Sequence, residues 1–183
     1  MRQLNHWRSD WALTSAVKVG LATKHSGGLM ISIAALSFIA AVVLCGMLVW
    51  ISWIDVKYGM LPDLLTLPLM WAGLLINRHV IFTPLGDAVL GAAAGYCILW
   101  IANQAYRLRS GQNGMGYGDF KLMAALGAWL GINAVPWILI GACSAGTIVM
   151  YILHLRGSKK TNHAFGPFLS AAGVVMLVRT FSS

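Results

Sequence analysis

The sequence contains very few charged residues. Only 10% of its 183 residues are Asp, Glu, Lys or Arg, whereas 58% are hydrophobic. A soluble domain carries roughly 25% charged residues. Glutamate is absent, and the acidic residues are five aspartates: Asp10, Asp55, Asp63, Asp87 and Asp119. This composition excludes an ordinary soluble globular protein and predicts an integral membrane protein in which each aspartate needs its own explanation.

Clustered metal ligands are also lacking. The three cysteines, Cys45, Cys97 and Cys143, form no C-x-x-C pair, so neither a zinc site nor a disulfide framework is indicated. The five histidines are scattered over the termini and the ends of the apolar runs. Because zinc catalysis normally needs three protein ligands, the sequence predicts no metal and no other cofactor.

The net charge of +8 has two possible explanations. A basic domain can bind nucleic acid. However, no basic stripe carries the interleaved aromatic residues that single-stranded nucleic acid prefers. In a membrane protein, basic loops facing anionic lipid headgroups account for the charge better. We therefore expect membrane lipids, and no nucleic acid, among the partners.

Long apolar segments predict an all-α polytopic membrane fold with about six transmembrane helices. A bilayer is crossed by about 20 apolar residues, and residues 28–54 contain no charge at all. Residues 122–155 contain no Asp, Glu, Lys or Arg, but are too long for one crossing, and Gly131 and Pro136 mark a break. The predicted spans are residues 28–54, 64–76, 88–106, 120–131, 136–155 and 164–178.

The loops between these spans differ in charge. The loops at residues 55–62, 107–118 and 156–163 contain most of the loop Lys and Arg, whereas those at 77–87 and 132–135 contain only Arg78. Positive loops mark the cytoplasmic side, so the first three loops are predicted to be cytoplasmic.

The chain is predicted to have two parts. A basic amphipathic N-terminal segment, residues 1–26, is expected to lie along the membrane surface. A transmembrane domain follows over residues 27–183. The four positive charges of the first segment disagree with the orientation above, because an odd number of spans places them outside.

Asp55 and Asp119 are the candidate functional residues. Asp55 ends the first predicted span and Asp119 begins the fourth, so both are expected at the same face. Two carboxylates in a small site share one proton, which is the condition for aspartic proteolysis. Alternatively, the two aspartates pair at the interface with Lys57 and Lys121, which is ordinary for charges at helix ends. The residues alone leave both possibilities open.

The glycines before Asp119 also allow two interpretations. Gly114, Gly116 and Gly118 let the backbone approach another chain closely, as a functional site requires. A glycine-rich loop followed by an aspartate that caps the next helix has the same composition.

Three segments resemble blocks of a known family. Residues 54–68 read IDVKYGMLPDLLTLP and resemble the first signature of the type IV prepilin peptidases. Residues 116–131 read GYGDFKLMAALGAWLG and resemble the second, the GxGD signature shared more loosely with presenilin-type proteases. Residues 165–169, FGPFL, resemble a third block. The likeness extends over roughly residues 28–178, in order and spacing as well as in local sequence.

The resemblance implies an intramembrane aspartic endopeptidase with Asp55 and Asp119 as the catalytic pair. The other residues of the two signatures that we single out are supporting ones: Lys57, Pro62, Asp63, Gly116, Gly118 and Lys121. The implied substrates are prepilins or pilin-like secretion proteins, with a short basic leader and an apolar helix after the cut. The implied location is the bacterial inner membrane, with cleavage at its cytoplasmic face.

The resemblance is to a short form of the family. Larger members carry a cytoplasmic domain with a four-cysteine cluster, near the region linked to N-methylation of the cleaved product. This sequence has no C-x-x-C pair and no such domain. The resemblance therefore implies the peptidase activity and leaves the N-methyltransferase activity open. Nothing in the sequence predicts the oligomeric state.

Two alternatives without peptidase activity remain. In a proton-coupled transporter, paired aspartates relay protons, and such proteins have aspartates near mid-span and repeated halves. An assembly scaffold for pili or secretion would need neither aspartate.

Asp63 follows Pro62, the position of a helix N-cap, and we expect a structural role for it. Gly59 and Pro62 separate it from Asp55, so the two need not share a site.

Overall fold

The computed structural model describes residues 34–112, 114–156 and 164–182; the predicted N-terminal segment, residues 1–26, lies outside them. The described residues form six α-helices and one short 3₁₀ helix. They are α1 (Ala34–Tyr58), α2 (Asp63–Asn77), α3 (Leu85–Ser110), α4 (Tyr117–Leu130), the 3₁₀ helix (Ile132–Ala134), α5 (Val135–Leu155) and α6 (Gly166–Ser182). The prediction of an all-α fold is confirmed.

The chain divides into two compact units, residues 1–39 and 40–183. Of the first unit, the structure describes only the start of α1. The second unit contains the rest of α1 and all the other helices, and everything below concerns this unit.

Among the described residues, three stretches are long and apolar enough to cross a membrane. They are α1, α3, and the continuous segment Ile132–Leu155, made of the 3₁₀ helix and α5. Two shorter apolar helices, α2 and α6, accompany them. Large apolar side chains cover the outer faces of the long helices, as expected where a helix meets lipid. The chain is therefore a polytopic membrane protein, while the count of six spans stays a prediction.

Helix α4 is the centre of the second unit. All of its residues from Leu122 to Leu130 are buried. A helix that is apolar on all sides is stable only when other helices surround it. Helices α2 and α3 make most of the contacts, and α5 and α6 also pack against it. This arrangement explains how a 14-residue helix, too short for an ordinary span, exists in a membrane protein.

The C-terminal end of α4 is tightly packed through glycine. A Cβ atom on Gly91 of α3 would lie 2.5 Å from the carbonyl oxygen of Gly127 and 2.7 Å from the carbonyl carbon of Gly131. Gly131 has φ +79°, which L side chains rarely adopt, and it separates α4 from the 3₁₀ helix. The break predicted between the fourth and fifth spans is therefore confirmed.

A buried asparagine holds the loop beside this end. Asn77, the last residue of α2, donates through Nδ2 to the carbonyl oxygens of Ala128 and Trp129, at 2.8 and 2.9 Å. Its Oδ1 accepts from the backbone N–H groups of Phe82 and Thr83, at 3.0 and 3.2 Å. We call these four hydrogen bonds the Asn77 clamp.

Three predicted boundaries were wrong. Helix α1 continues through Asp55 to Tyr58, and Gly59, with φ +65°, ends it by donating its N–H to the carbonyl oxygen of Asp55. Residues 84–87 were predicted as a turn, but α3 begins at Leu85 with Pro84 as its N-cap. It also continues past the predicted end to Ser110. At the C-terminal end of α3, Arg107 and Arg109 can continue the helix at a membrane surface, because their long side chains reach water.

Candidate active site

Asp55 lies on the buried side of α1, near the end of the helix. The residue is only 4% exposed. Its Oδ2 accepts a hydrogen bond of 2.9 Å from the backbone N–H of Gly166, the first residue of α6. The first N–H groups of a helix have no partner inside it, and the helix dipole favours a negative charge there. Asp55 thus accepts the free N–H of the first residue of α6, although the two residues are 111 positions apart in the sequence.

The close contact at Gly166 leaves no room for a side chain. A Cβ atom at this position would lie 2.5 Å from Oδ2 of Asp55 and 3.1 Å from its Cγ. Pro167 follows and has no N–H to offer. A glycine at position 166 is therefore what allows α6 to approach the carboxylate.

Asp119 lies in the first turn of α4, three residues after the N-cap Gly116. It is 6% exposed, and its Oδ1 has no hydrogen-bond partner among the described residues. Burial, and after it the nearby Asp55 carboxylate, raise the pKa of Asp119 from 3.8 to about 7, while the backbone N–H of Gly116 acts in the opposite direction. A pKa near 7 lets Asp119 carry a proton at neutral pH.

Asp55 and Asp119 line the same cavity, which has a volume of about 1050 Å³. Its wall comes from the end of α1 and the following loop, the segment that opens α4, and α5 with the start of α6. The first two of these segments belong to the side that the loop charges predict to be cytoplasmic. On the α5 and α6 side the wall is largely apolar, with Met150, Phe165 and Phe168.

The lysines near the aspartates have other partners. Lys121 forms an ion pair with Asp63, and Nζ of Lys57 lies 4.7 Å from the ring centre of Trp53 and 5.2 Å from that of Tyr58. The alternative that Asp55 and Asp119 pair with Lys57 and Lys121 is therefore wrong.

Asp63 was expected to be an N-cap, and this expectation was wrong. The N-cap of α2 is Pro62, with no side-chain capping bond, and Asp63 is the first helical residue. Its carboxylate is drawn instead to Lys121 of α4. Asp63 also lines the cavity that contains Asp55, so the break at Gly59 and Pro62 does not separate them.

The remaining predicted residues divide into two groups. Gly116, Gly118 and Lys121 line the cavity. A Cβ atom on Gly118 would overlap the side chain of Leu61, so this glycine lets the loop after α1 lie against α4. Pro62 and Lys57 are not among the described residues that line the cavity.

Two residues with clear contacts at this site were not predicted. Gly166 was recognised only as part of a sequence block, although a Gly-Pro pair opening an apolar run indicates a helix N-terminus. Asn103 is buried on α3, and its Oδ1 accepts from the N–H groups of Gly114 and Met115, at 2.9 and 3.2 Å. A polar residue within an otherwise apolar span is the signal that would have identified Asn103.

Comparison with known proteins gives the family. Residues 42–151 match the model of the type IV leader peptidase family. The chain belongs to this family.

Within the described ranges, no group of three or more His, Cys, Asp or Glu side chains is placed to hold a metal ion.

Curated relatives agree with this membership. The chain is 47% identical over 142 residues to the prepilin leader peptidase/N-methyltransferase of Aeromonas salmonicida (strain A449), which is 76% of this chain and 49% of that protein. The protein of the same name from Neisseria gonorrhoeae is 43% identical over 138 residues, 75% of this chain and 48% of the relative. This chain thus spans about half the length of the curated relatives it matches. No solved structure matches it.

Proposed function

We propose that the chain is a membrane aspartic endopeptidase in which Asp55 and Asp119 form the catalytic pair. The observation that carries the proposal is the arrangement of two buried carboxylates, from α1 and α4, on one cavity. Buried titratable groups with a perturbed pKa in a cleft are typical of catalytic sites. Membership of a leader peptidase family supports the same function.

We assign the two aspartates different roles, and their different surroundings support this assignment. Asp119 carries the shared proton, because its pKa is about 7, and it polarises the scissile carbonyl. Asp55, held by the Gly166 N–H, is the base that takes a proton from the attacking water. The proton then passes to the leaving amine as the peptide bond breaks. The two carboxyl groups titrate as a pair, so these roles describe the reactive protonation state.

The proposed substrates are precursors of pilins or of pilin-like secretion proteins. The relatives are called prepilin leader peptidases, and this chain covers about half of each of them. The short basic leader would be removed at the cytoplasmic face of the bacterial inner membrane, and the positive charge of the loops on that side supports this orientation. The apolar side of the cavity suits the apolar helix that follows the cut. Anionic lipids attract the basic leader to the surface.

The test is cleavage of candidate prepilins co-expressed with the full chain. Asp55→Asn and Asp119→Asn keep the shape of the side chain but cannot share a proton. Each should lower the cleavage rate by roughly 1,000-fold or more, and the double replacement should lose little beyond that, because the two groups act as a unit. Precursor and product are separated on gels, at equal amounts of membrane-inserted protein.

Asp87→Asn is the matched control. Asp87 lies in the first turn of α3, just after the loop that the Asn77 clamp holds. This replacement should leave cleavage within about threefold of wild type, as for a surface change away from the site. Substantial processing by Asp55→Asn or Asp119→Asn, correctly inserted, contradicts the proposal. Precursor processing that is the same with and without the wild-type chain would favour a scaffold or a transporter.

A further inference from the structure

One side chain of α3 accepts hydrogen bonds from the loop that leads into α4. Asn103 lies on α3, near its C-terminal end, and is 5% exposed. Its Oδ1 accepts two hydrogen bonds, from the N–H groups of Gly114 and Met115. We call these two hydrogen bonds the Asn103 clamp. Gly114, Met115 and Gly116 all line the cavity, so the clamp fixes part of its wall.

A short backbone path joins the clamp to Asp119. Gly116 follows Met115 directly and is the N-cap of α4. The N–H of Asp119 donates to the carbonyl oxygen of Gly116 at 3.2 Å, and a Cβ atom on Gly116 would lie 3.7 Å from Oδ2 of Asp119. A shift of residues 114–115 therefore moves Gly116 and, with it, the first turn of α4.

A second contact limits how the loop can shift. A Cβ atom on Gly114 would lie 2.7 Å from Cδ1 of Tyr106, which is one turn after Asn103 on α3. The backbone of residue 114 thus lies close against the Tyr106 ring while its N–H points to Asn103. Without the Asn103 oxygen, two backbone donors of the partly buried loop lose their acceptor on α3, and the loop is no longer tied to that helix.

We propose that Asn103 is a positioning residue for the peptidase reaction, holding the Gly114–Gly116 loop so that Asp119 stays aimed at the substrate carbonyl. It acts through the backbone and does not touch the substrate. The proposal rests on the proposed function for its kinetic consequence. The clamp itself can be tested without activity.

The chain offers a matched control at the other end of α4. Asn77 is also buried, and its Oδ1 also accepts from two consecutive backbone N–H groups. The Asn77 clamp holds a loop far from the aspartates, whereas the Asn103 clamp holds a loop of the cavity. The same replacement at each position therefore separates positioning of the site from stability of the fold.

The kinetic experiment compares Asn103→Leu, Asn103→Asp and Asn77→Leu in the full chain, with a prepilin substrate and rates normalised to folded protein. Asn103→Leu has no acceptor and should lower kcat roughly 10- to 100-fold, with KM within about threefold, because small misplacements of reacting groups carry costs of this size. Asn103→Asp keeps an acceptor oxygen, ionised or not, and should recover kcat to within about threefold of wild type. Asn77→Leu should lower the unfolding midpoint and leave kcat within about threefold.

Three kinetic outcomes overturn the inference. They are a wild-type kcat in Asn103→Leu, an equal loss of kcat in Asn103→Leu and Asn103→Asp, and an equal loss of kcat in Asn103→Leu and Asn77→Leu. The first shows that the clamp is unnecessary. The second shows that the acceptor is not what matters, and the third that the effect is general destabilisation. Where a Leu variant does not insert or fold, the matched pair Asn103→Ala and Asn77→Ala replaces it.

Hydrogen–deuterium exchange tests the clamp independently of catalysis. Amides of the peptide containing Gly114 and Met115 should be protected in wild type and in Asn103→Asp, and should exchange at least tenfold faster in Asn103→Leu. Fast exchange in wild type overturns the inference even if prepilins are cleaved. If the wild-type chain cleaves no candidate precursor, the proposed function fails, and the exchange result still decides whether the clamp exists.

Discussion

The two ends of α4 differ in whether their buried polar side-chain atoms have hydrogen-bond partners. At the C-terminal end, Asn77 makes four hydrogen bonds, and Nε1 of Trp129 donates to the carbonyl oxygen of Leu69 at 2.8 Å. At the N-terminal end, Asp119 is also buried, but its Oδ1 has no partner among the described residues. One end closes on glycine contacts, and the other opens onto a cavity.

This difference separates groups that stabilise the fold from groups suited to chemistry. A buried polar atom without a partner costs roughly 1–3 kcal/mol. Such an atom in a native structure calls for an explanation, and for Asp119 the explanation that we propose is catalysis. The satisfied end should therefore respond to substitution by losing stability, and the cavity end by losing activity.

Apart from replacing the aspartates themselves, the largest effect is expected from a methyl group placed beside Asp55. Gly166→Ala puts a Cβ atom 2.5 Å from Oδ2 of Asp55, and since Asp55 is held within α1, the carboxylate must move. Cleavage should fall roughly 100-fold, with little change in the unfolding midpoint. Initial rates of prepilin cleavage at saturating substrate, together with a thermal unfolding curve in detergent, measure both.

Gly46→Ala is the control for Gly166→Ala. Gly46 lies on the same helix as Asp55, and a Cβ atom there would have no neighbour within 4 Å among the described residues. This variant should cleave at the wild-type rate. If Gly166→Ala also cleaves at that rate, the contact between α6 and Asp55 has no part in catalysis.

The same change at the other end of α4 should have the reverse effect. A Cβ atom on Gly127 would overlap the carbonyl group of Gly91, where backbone meets backbone and nothing can rotate away. Gly127→Ala should cost about 1–3 kcal/mol or more in unfolding free energy, as overpacked cores do. Cleavage per folded molecule should stay within about threefold. If the Gly127→Ala protein were fully stable but inactive, the C-terminal end of α4 would also be needed for activity, and the proposed difference between the two ends would be wrong.

The cleavage rate should also depend on pH, with a smaller change per pH unit than the loss expected for Gly166→Ala. Asp119 has a pKa of about 7, so the pair keeps its proton below pH 7 and loses it above. The cleavage rate should fall by about tenfold for each pH unit well above 7. The raised pKa changes stability only between about pH 3.8 and 7, because Asp119 is ionised in both folded and unfolded chains above that range.

The unfolding midpoint should therefore stay constant from pH 7 to 9 while the cleavage rate falls. A rate–pH profile and unfolding curves over the same buffers check this. A cleavage rate that does not change between pH 6 and 9 would mean that Asp119 does not carry the essential proton.

The helices were largely predictable from the sequence, because each corresponds to an uncharged segment and glycine or proline residues separate these segments. The end of α1 was misplaced since Asp55 looks like the edge of a span, although its side chain turns inward to α6. Helix α4 was predicted as a short span, and its true position, surrounded by other helices, depends on tertiary packing. No local pattern reports that.

The candidate site was predictable only in part, for a related reason. Asp55 and Asp119 follow from the signatures in which they lie. The bond from Gly166 to Asp55 joins residues 111 positions apart, and the Asn103 clamp depends on how α3 packs beside the loop. Asp63 was assigned to a cap because Pro62 precedes it, but the ion pair with Lys121 across 58 residues competes for its carboxylate.

The smallest effect is expected at Asp63, which tests whether position on the cavity is enough for a role in catalysis. Its side chain is 58% exposed and that of Lys121 27% exposed, and such ion pairs contribute about 0.2–1 kcal/mol. Asp63→Asn still offers an oxygen to Lys121, so cleavage should stay within about threefold of wild type. Asp63→Ala should lower the unfolding midpoint slightly more than Asp63→Asn.

The comparison to measure is Asp63→Asn beside Asp55→Asn, at equal amounts of inserted protein. Both aspartates come from the same stretch of sequence and both line the cavity. They differ in burial and in partner: Asp55 is enclosed and bonded to a backbone N–H, whereas Asp63 is open to water and neutralised by a lysine. A pair that shares a proton needs two carboxylates that are close together and shielded from water, and Asp63 lacks that shielding. If Asp63→Asn is inactive and Asp55→Asn still cleaves, burial has identified the wrong aspartate.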